Sequence, residues 1–196
     1  MRWIVGLLEN HTIPAWVRKS ALLALFRATA RAFDCPLPPL AGLSADECLL
    51  RYARFTQGRA AELLRDGNNL PAVQEQLYRN AYELGRACKS ISGIGSMEEV
   101  MALGRALYRL LDIAFQGDER GDVVISRCYF SRYYSDQICQ VMSAMDRGLL
   151  AGLSGGSQLV FSARITEGRT WCQAHLHAWA HLTARAHLSA QEGRYK

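Results

Sequence analysis

Gln116-Gly117-Asp118-Glu119-Arg120-Gly121-Asp122-Val123-Val124-Ile125 is where the chain changes its pattern. Six polar or glycine residues make a turn, and the β-branched run Val123-Val124-Ile125 that follows has the length and composition of a buried strand. Before the turn the spacing is helical; after it, strand and helix alternate.

Upstream, Pro14 to Phe33 carries Trp16, Leu22, Leu23, Leu25, Phe26, Ala30 and Phe33 near the period of an amphipathic helix, and Pro14 suits its first turn. Asp34-Cys35-Pro36-Leu37-Pro38-Pro39 ends it. Ser44 with Glu47 spells a capping box for a second helix through Cys48, Leu49, Tyr52 and Phe55 to Leu64, stopped near Gly67-Asn68-Asn69. A third runs from Pro71 to about Lys89, with Leu77, Ala81, Leu84 and Cys88 on one stripe, until Ser92-Gly93-Ile94-Gly95 breaks it. Ser96 with Glu99 opens a fourth, which turns Val100, Leu103, Leu107, Leu110 and Leu111 inward and runs up to the polar turn.

Downstream, Ser131 to Leu153 places Tyr134, Ile138, Val141, Met142, Met145 and Leu149 on one helical face, and Gly155-Gly156 closes it. Leu159–Thr166 and Trp171–His177 alternate in polarity and are joined by Glu167-Gly168-Arg169-Thr170, the pattern of a hairpin. The tail from Ala178 reads as a last helix or a fraying end. The expected class is α+β: an N-terminal helical bundle of about four helices over residues 1–116, a β-α-β-β unit with a small antiparallel sheet over 121–178, and a tail over 179–196, all in one domain, 1–196.

Composition narrows the function. With 49% hydrophobic and 21% charged residues in 196, the chain has the makings of a packed core. The net charge of +5 comes from arginines scattered over every helix, so nucleic acid is not an expected partner. No apolar run reaches the roughly 18 residues of a membrane span. The apolar start, Met1 to Leu8, runs into Glu9 and His11 without a small-residue cleavage site, which points to the cytoplasm. Abundant apolar and aromatic residues are compatible with a homodimer.

Six cysteines, Cys35, Cys48, Cys88, Cys128, Cys139 and Cys172, include no CxxC pair, so free thiols are expected. Cys35, Cys48 and Cys88 belong to bundle helices or their ends and read as packing residues. Cys128, Cys139, Asp146 and Cys172 lie on a strand end, a helix and a strand that can converge on one pocket. A thiol acts as nucleophile only as thiolate; Cys128 follows Arg127 and precedes the helix expected from Ser131, whose N-terminus would favour an anion. Asp146, set in an apolar helix, is expected to point into the pocket; the alternatives are a solvated carboxylate or one paired to Arg147 or Arg164. Glu167 would need burial to act as acid or base. His175 and His177 share a strand face, and His181 and His187 follow; with Cys172 nearby, zinc ligation is conceivable but no HExxH supports it. Neither a GxxxxGK[ST] loop nor a GxSxG elbow occurs.

Arg127-Cys128-Tyr129-Phe130, then Cys139 and Asp146, then Leu159-x-Phe161-x-x-Arg164-Ile165-Thr166-Glu167-Gly168-x-x-x-Cys172, resembles the L-2-amino-thiazoline-4-carboxylic acid hydrolase family over about a quarter of the chain. The closing Gly168-x-x-x-Cys172 also looks like the vinyl-4-reductase type of small-molecule-binding domain and the C-terminal region of the plant carotenoid isomerase family. The first resemblance implies a hydrolase opening a C–N bond in a small cyclic carboxylate. Cys128, Asp146, Cys172 and Glu167 would be its catalytic residues, with Arg127, Arg164, Tyr134 and Phe161 binding substrate. The second implies a non-catalytic binding module, with Tyr133, Tyr134, Phe161 and Trp171 around an apolar pocket. A third reading makes Cys128, Cys139, Cys172 and His175 ligands of zinc or iron, a cofactor the sequence does not require. In each, the expected partner is a small molecule.

Overall fold

The computed structural model describes residues 13–67 and 69–177. Four helices come first: α1 Ala15–Ala32, α2 Ala45–Asp66, α3 Leu70–Ser92 and α4 Met97–Arg109. Strands β1 Ala114–Gly117 and β2 Asp122–Arg127, helix α5 Asp136–Ser154, and strands β3 Gln158–Ala163 and β4 Cys172–His177 follow. The chain is α+β, helices first and then one antiparallel sheet in the order β1-β2-β4-β3.

Both capping boxes form. The Ser44 hydroxyl accepts from the Glu47 N–H at 3.3 Å while the Glu47 carboxylate accepts from the Ser44 N–H at 2.7 Å. Ser96 and Glu99 exchange the same pair of bonds at 3.2 Å each. Every such bond satisfies a donor the first helical turn would otherwise leave open, worth about 1 kcal/mol. Helix α1 buries Leu22, Phe26, Thr29 and Ala30, spaced i, i+4, i+7 and i+8. Trp16, expected inside, is 72% exposed, because six residues at ~100° each carry it roughly 120° around the helix from Leu22.

Three expectations need correction. The helical part was expected to reach residue 116, yet α4 stops at Arg109 and Ala114–Gly117 is an edge strand paired with β2. Four residues with one buried apolar side chain, Phe115, are too short to show a period of two; pairing with Val123–Ile125 makes the strand. Helix α5 begins at Asp136, capped by Ser135, and not near Ser131. A 3-10 turn over Tyr129–Arg132 comes first, burying Phe130 between Tyr52 (5.9 Å between ring centres) and Tyr134 (5.4 Å). In the hairpin, β3 ends at Ala163 and Ile165–Glu167 makes a 3-10 turn, so β4 starts at Cys172.

Helix α5 is the central element. Eleven of its nineteen residues are buried. Leu150 and Leu153 join α1, α2, α4 and the sheet in one core with Leu22, Phe26, Tyr52 and Val123, while Val141, Ala144 and Met145 join Leu77, Ala81 and Ala60 in a second. The helices cover one sheet face: Cys172, Ala174 and Leu176 of β4 point into the core, whereas Gln173, His175 and His177 point away. Among the described residues no helix is long and apolar enough to cross a membrane.

Candidate functional site

Between α5 and the open ends of β2 and β4 lies a cavity of about 100 Å3. Its polar groups come from four directions. Helix α5 supplies Cys139, Ser143 and Asp146, spaced i, i+4 and i+7 so that they share one face. Cys128 enters just beyond β2. Cys172 enters from β4, where it lies opposite Ile125 in the ladder. Arg164 reaches in from the β3–β4 connection. The remaining wall is largely apolar, with Leu25, Leu84, Ile113, Met142, Met145 and Phe161 among its residues, and Tyr52, Tyr108 and Tyr134 add three phenols. The expected convergence of Cys128, Cys139, Cys172 and Asp146 on one pocket is therefore present, together with Arg164, Tyr134 and Phe161.

The local chemistry differs from the expectation for the thiols. Burial pushes the Cys128 thiol up to about 12 and the Cys139 thiol up to about 11, and it raises Cys172 as well. Cys128 caps a four-residue 3-10 turn, not an α-helix, and the exposed Arg127 pairs with Asp112. The backbone N–H groups of Phe130 and Ser131 favour the thiolate, but desolvation outweighs them. At neutral pH all three cavity thiols are protonated. The Cys172 sulfur instead accepts the Ile165 N–H at 3.3 Å, which pins the start of β4 to the 3-10 turn.

Asp146 is the titrating group of the cavity. Burial raises its carboxyl from the usual carboxylate range to about 6, opposed by a hydrogen bond from Tyr108 and by the positive charges of Arg164 and Arg147. The Tyr108 hydroxyl donates to Asp146 Oδ1 at 2.7 Å. The alternative expectation, an ion pair with Arg147 or Arg164, is not what forms. Arg164 is fixed by other contacts: its Nη1 donates to Glu167 Oε1 at 3.1 Å, its backbone N–H donates to Glu167 Oε2 at 3.0 Å, and its guanidinium lies 4.7 Å from the Phe161 ring centre. Its Nε is buried without a hydrogen-bond partner, as are Arg147 Nε and Thr166 Oγ1.

Several expected site residues stand elsewhere. Arg127 is exposed and paired with Asp112 at 3.1 Å. Glu167 does not line the cavity; it holds Arg164 in place. His175 is on the outer face of β4, bonded through Nδ1 to Asp122 at 2.9 Å, because it is odd in register to the inward Cys172. Cys128, Cys139, Cys172 and His175 thus cannot share a metal, and no group of three or more His, Cys, Asp or Glu among the described residues is arranged to hold one. Of the aromatic pocket, Tyr134 and Phe161 line the cavity but Tyr133 and Trp171 do not; Trp171 is 49% exposed. His181 and His187 lie outside the described residues.

The sequence reading missed Tyr108, whose signal was available. It falls eight residues after Val100 and four after Gly104, on the inward stripe of α4. It also missed Tyr52 as a wall and the threonines that fix both phenols: Thr56 Oγ1 bonds the Tyr134 hydroxyl, and Thr29 Oγ1 lies 2.8 Å from the Tyr52 hydroxyl.

No family model, curated protein or solved structure matches the chain. The likeness to the thiazoline carboxylate hydrolases and to the vinyl-4-reductase type of domain accordingly rests on the motif residues themselves.

Proposed function

We propose that the chain is a small-molecule-binding domain, of the kind the vinyl-4-reductase resemblance implies, whose ligand occupies the cavity between α5 and the sheet. The observation that carries this is a small, partly open pocket with largely apolar walls on which a few polar groups converge, the usual composition of a ligand site. Protonated thiols act there as polarizable wall, not as nucleophiles. Six unpaired cysteines suit a reducing compartment, which supports a cytoplasmic location.

The test uses methionine methyl groups as reporters. Met142 and Met145 line the cavity, whereas Met101 is buried in the core away from it. Xenon, which enters apolar cavities of this order of size, should shift the methyl resonances of Met142 and Met145 and leave Met101 unmoved. If all three stay unmoved, the cavity admits nothing and the reading fails.

One observation favours the hydrolytic alternative: a carboxyl group titrating near neutrality beside an arginine, an arrangement that can exchange a proton with water while anchoring a carboxylate. In that reading Asp146 activates water, and no cysteine attacks. Turnover of a small cyclic carboxylate that survives Cys128→Ala and vanishes in Asp146→Asn supports it. Equal turnover in Asp146→Asn and the unaltered chain removes it.

A further inference from the structure

We propose that the groove between α3 and the edge strand β3 binds the C-terminus of an extended peptide, which adds to β3 as an antiparallel strand and sets its carboxylate on Arg147. This groove is separate from the cavity beside Asp146 and shares none of its lining residues.

Gln158-Leu159-Val160-Phe161-Ser162-Ala163 is the last strand in the order β1-β2-β4-β3, so one side of it has no neighbouring strand among the described residues. Along that side alternate residues turn their N–H and C=O outward, ready to pair with another strand. Edges are commonly blunted by brevity, charge or proline. The opposite edge, β1, is four residues long. Strand β3 has six residues with neither a charged side chain nor a proline, and Val160 on it is 45% exposed. A bulge between Phe161 and Ala163 interrupts its far end, while residues 158–161 keep a regular register with β4.

Beside this regular stretch lies a groove of about 450 Å3. Pro71, Gln74, Glu75 and Tyr78 of α3, spaced i, i+3, i+4 and i+7 on one face, form one wall, and residues 156–159 form the other. Arg147 joins them because Gly148, the next residue of α5, packs against the Tyr78 carbonyl. Its guanidinium donates to no acceptor among the described residues, and Nε is buried in that state. Glu75, the acidic residue of the groove, already holds Arg79 at 2.7 Å. Among the described residues lining the groove, Arg147 is thus a cation without an anion.

That charge sets the direction of the added strand. Arg147 shares the groove with the N-terminal end of β3, where an antiparallel peptide finishes in a carboxylate and a parallel one would begin with an ammonium group. A planar guanidinium takes a carboxylate through two parallel hydrogen bonds and repels an ammonium. Main-chain pairing then supplies affinity along the edge. At roughly 3.4 Å per residue, about four peptide residues cover the regular stretch. A second copy paired through its own β3 fits less well, since that strand brings no acidic side chain to Arg147.

The probes are acetyl-Thr-Val-Thr-Val with a free C-terminal carboxylate, the same peptide as its C-terminal amide, and N-acetylvaline, each titrated into the isotope-labelled full chain and followed by amide NMR. The peptide acid should shift the amides of residues 156–161, slow hydrogen exchange at the outward amides of β3, and bind at least about tenfold more tightly than the peptide amide. It should also bind at least about tenfold more tightly than N-acetylvaline, which has the carboxylate without the strand. Arg147→Gln should bring acid and amide level; if that variant does not fold, the acid–amide ratio on the unaltered chain decides. Equal binding of acid and amide by the unaltered chain removes the carboxylate seat and overturns the proposal. N-acetylvaline binding as tightly as the peptide, or no added protection in β3, leaves a small-carboxylate site and overturns it too. Protection of β3 that rises with protein concentration without peptide makes a second copy the occupant, and the proposal fails. It fails equally if no probe binds at millimolar concentration.

Discussion

Gly85 of α3 and Leu149 of α5 are so close that a β-carbon on Gly85 would lie 2.2 Å from the Leu149 carbonyl oxygen. The contact continues along the crossing. A β-carbon on Gly148 would lie 2.1 Å from the Tyr78 carbonyl oxygen, and one on Gly152 would lie 2.2 Å from that of Tyr82. These three glycines let the two helix backbones touch, and that contact fixes the rotation of α5. Rotation of α5 decides where its polar stripe goes: with Gly148 and Gly152 against α3, Cys139, Ser143 and Asp146 line the cavity.

Alanine at Gly148 or Gly152 should therefore destabilise the protein by about 2 kcal/mol or more, although alanine is the better helix former by about 1 kcal/mol. Gly58, exposed in α2 with no atom within 4 Å of its would-be β-carbon, is the control. Gly58→Ala should stabilise by roughly 0.5–1 kcal/mol. Urea unfolding of the three variants checks this; equal effects at Gly58 and Gly152 would show that the crossing has room to spare.

Legibility in the sequence followed the range of the interactions. Caps and breakers are local, so Ser44, Glu47, Ser96, Glu99 and Gly93 marked helix ends correctly. Strand β1 was illegible because its four residues owe their conformation to β2, thirteen residues away across the ladder at Ala114 and Arg127. In the site, types and convergence were legible: Cys128, Cys139, Asp146 and Cys172 meet. Their ionisation was not, because it depends on how completely the walls exclude water, a property of the whole packing. His175 was legible as sharing a strand face with His177; grouping it with Cys172, three positions away and so on the other face, is what fails.

The thiols should behave accordingly. At pH 7.5 Cys128, Cys139 and Cys172 should react with a disulfide reagent far more slowly than a free cysteine, since burial both excludes the reagent and holds them protonated. Denaturant should release all six thiols. Stopped-flow thiol titration with mass-spectrometric mapping decides; modification of Cys128 at the free-thiol rate would restore it as a nucleophile.

Asp146 gives folding stability a direction with pH. Its folded-state value of about 6 lies above that of an unfolded aspartate, so the folded chain binds the proton more tightly. Stability then falls as pH rises from about 4 to 6 and stays reduced above, by roughly 3 kcal/mol at most. Asparagine keeps an oxygen for the Tyr108 hydroxyl and carries no charge to desolvate. Asp146→Asn should thus be more stable than the unaltered chain at pH 7.5 and nearly equal to it at pH 4.5. Parallel denaturation curves at the two pH values, with the same difference at both, would mean that Asp146 is ionised throughout.

Tyr108 tests the same carboxyl from its other side. Its hydroxyl, 2.7 Å from Asp146 Oδ1, stabilises the ionised form. Tyr108→Phe removes that donor without opening space at the stacked Phe115 ring, 4.7 Å away between centres. The carboxyl should then titrate above 6, observable by carbon NMR of the side chain. Stability at pH 7.5 should drop by about 1–3 kcal/mol, the cost of a buried acceptor left unpaired, and by less at pH 4.5, where the acid form has a proton of its own to share. An Asp146 titration unchanged in Tyr108→Phe would show that the phenol shields the carboxyl from water without bonding it, and that burial alone sets its charge.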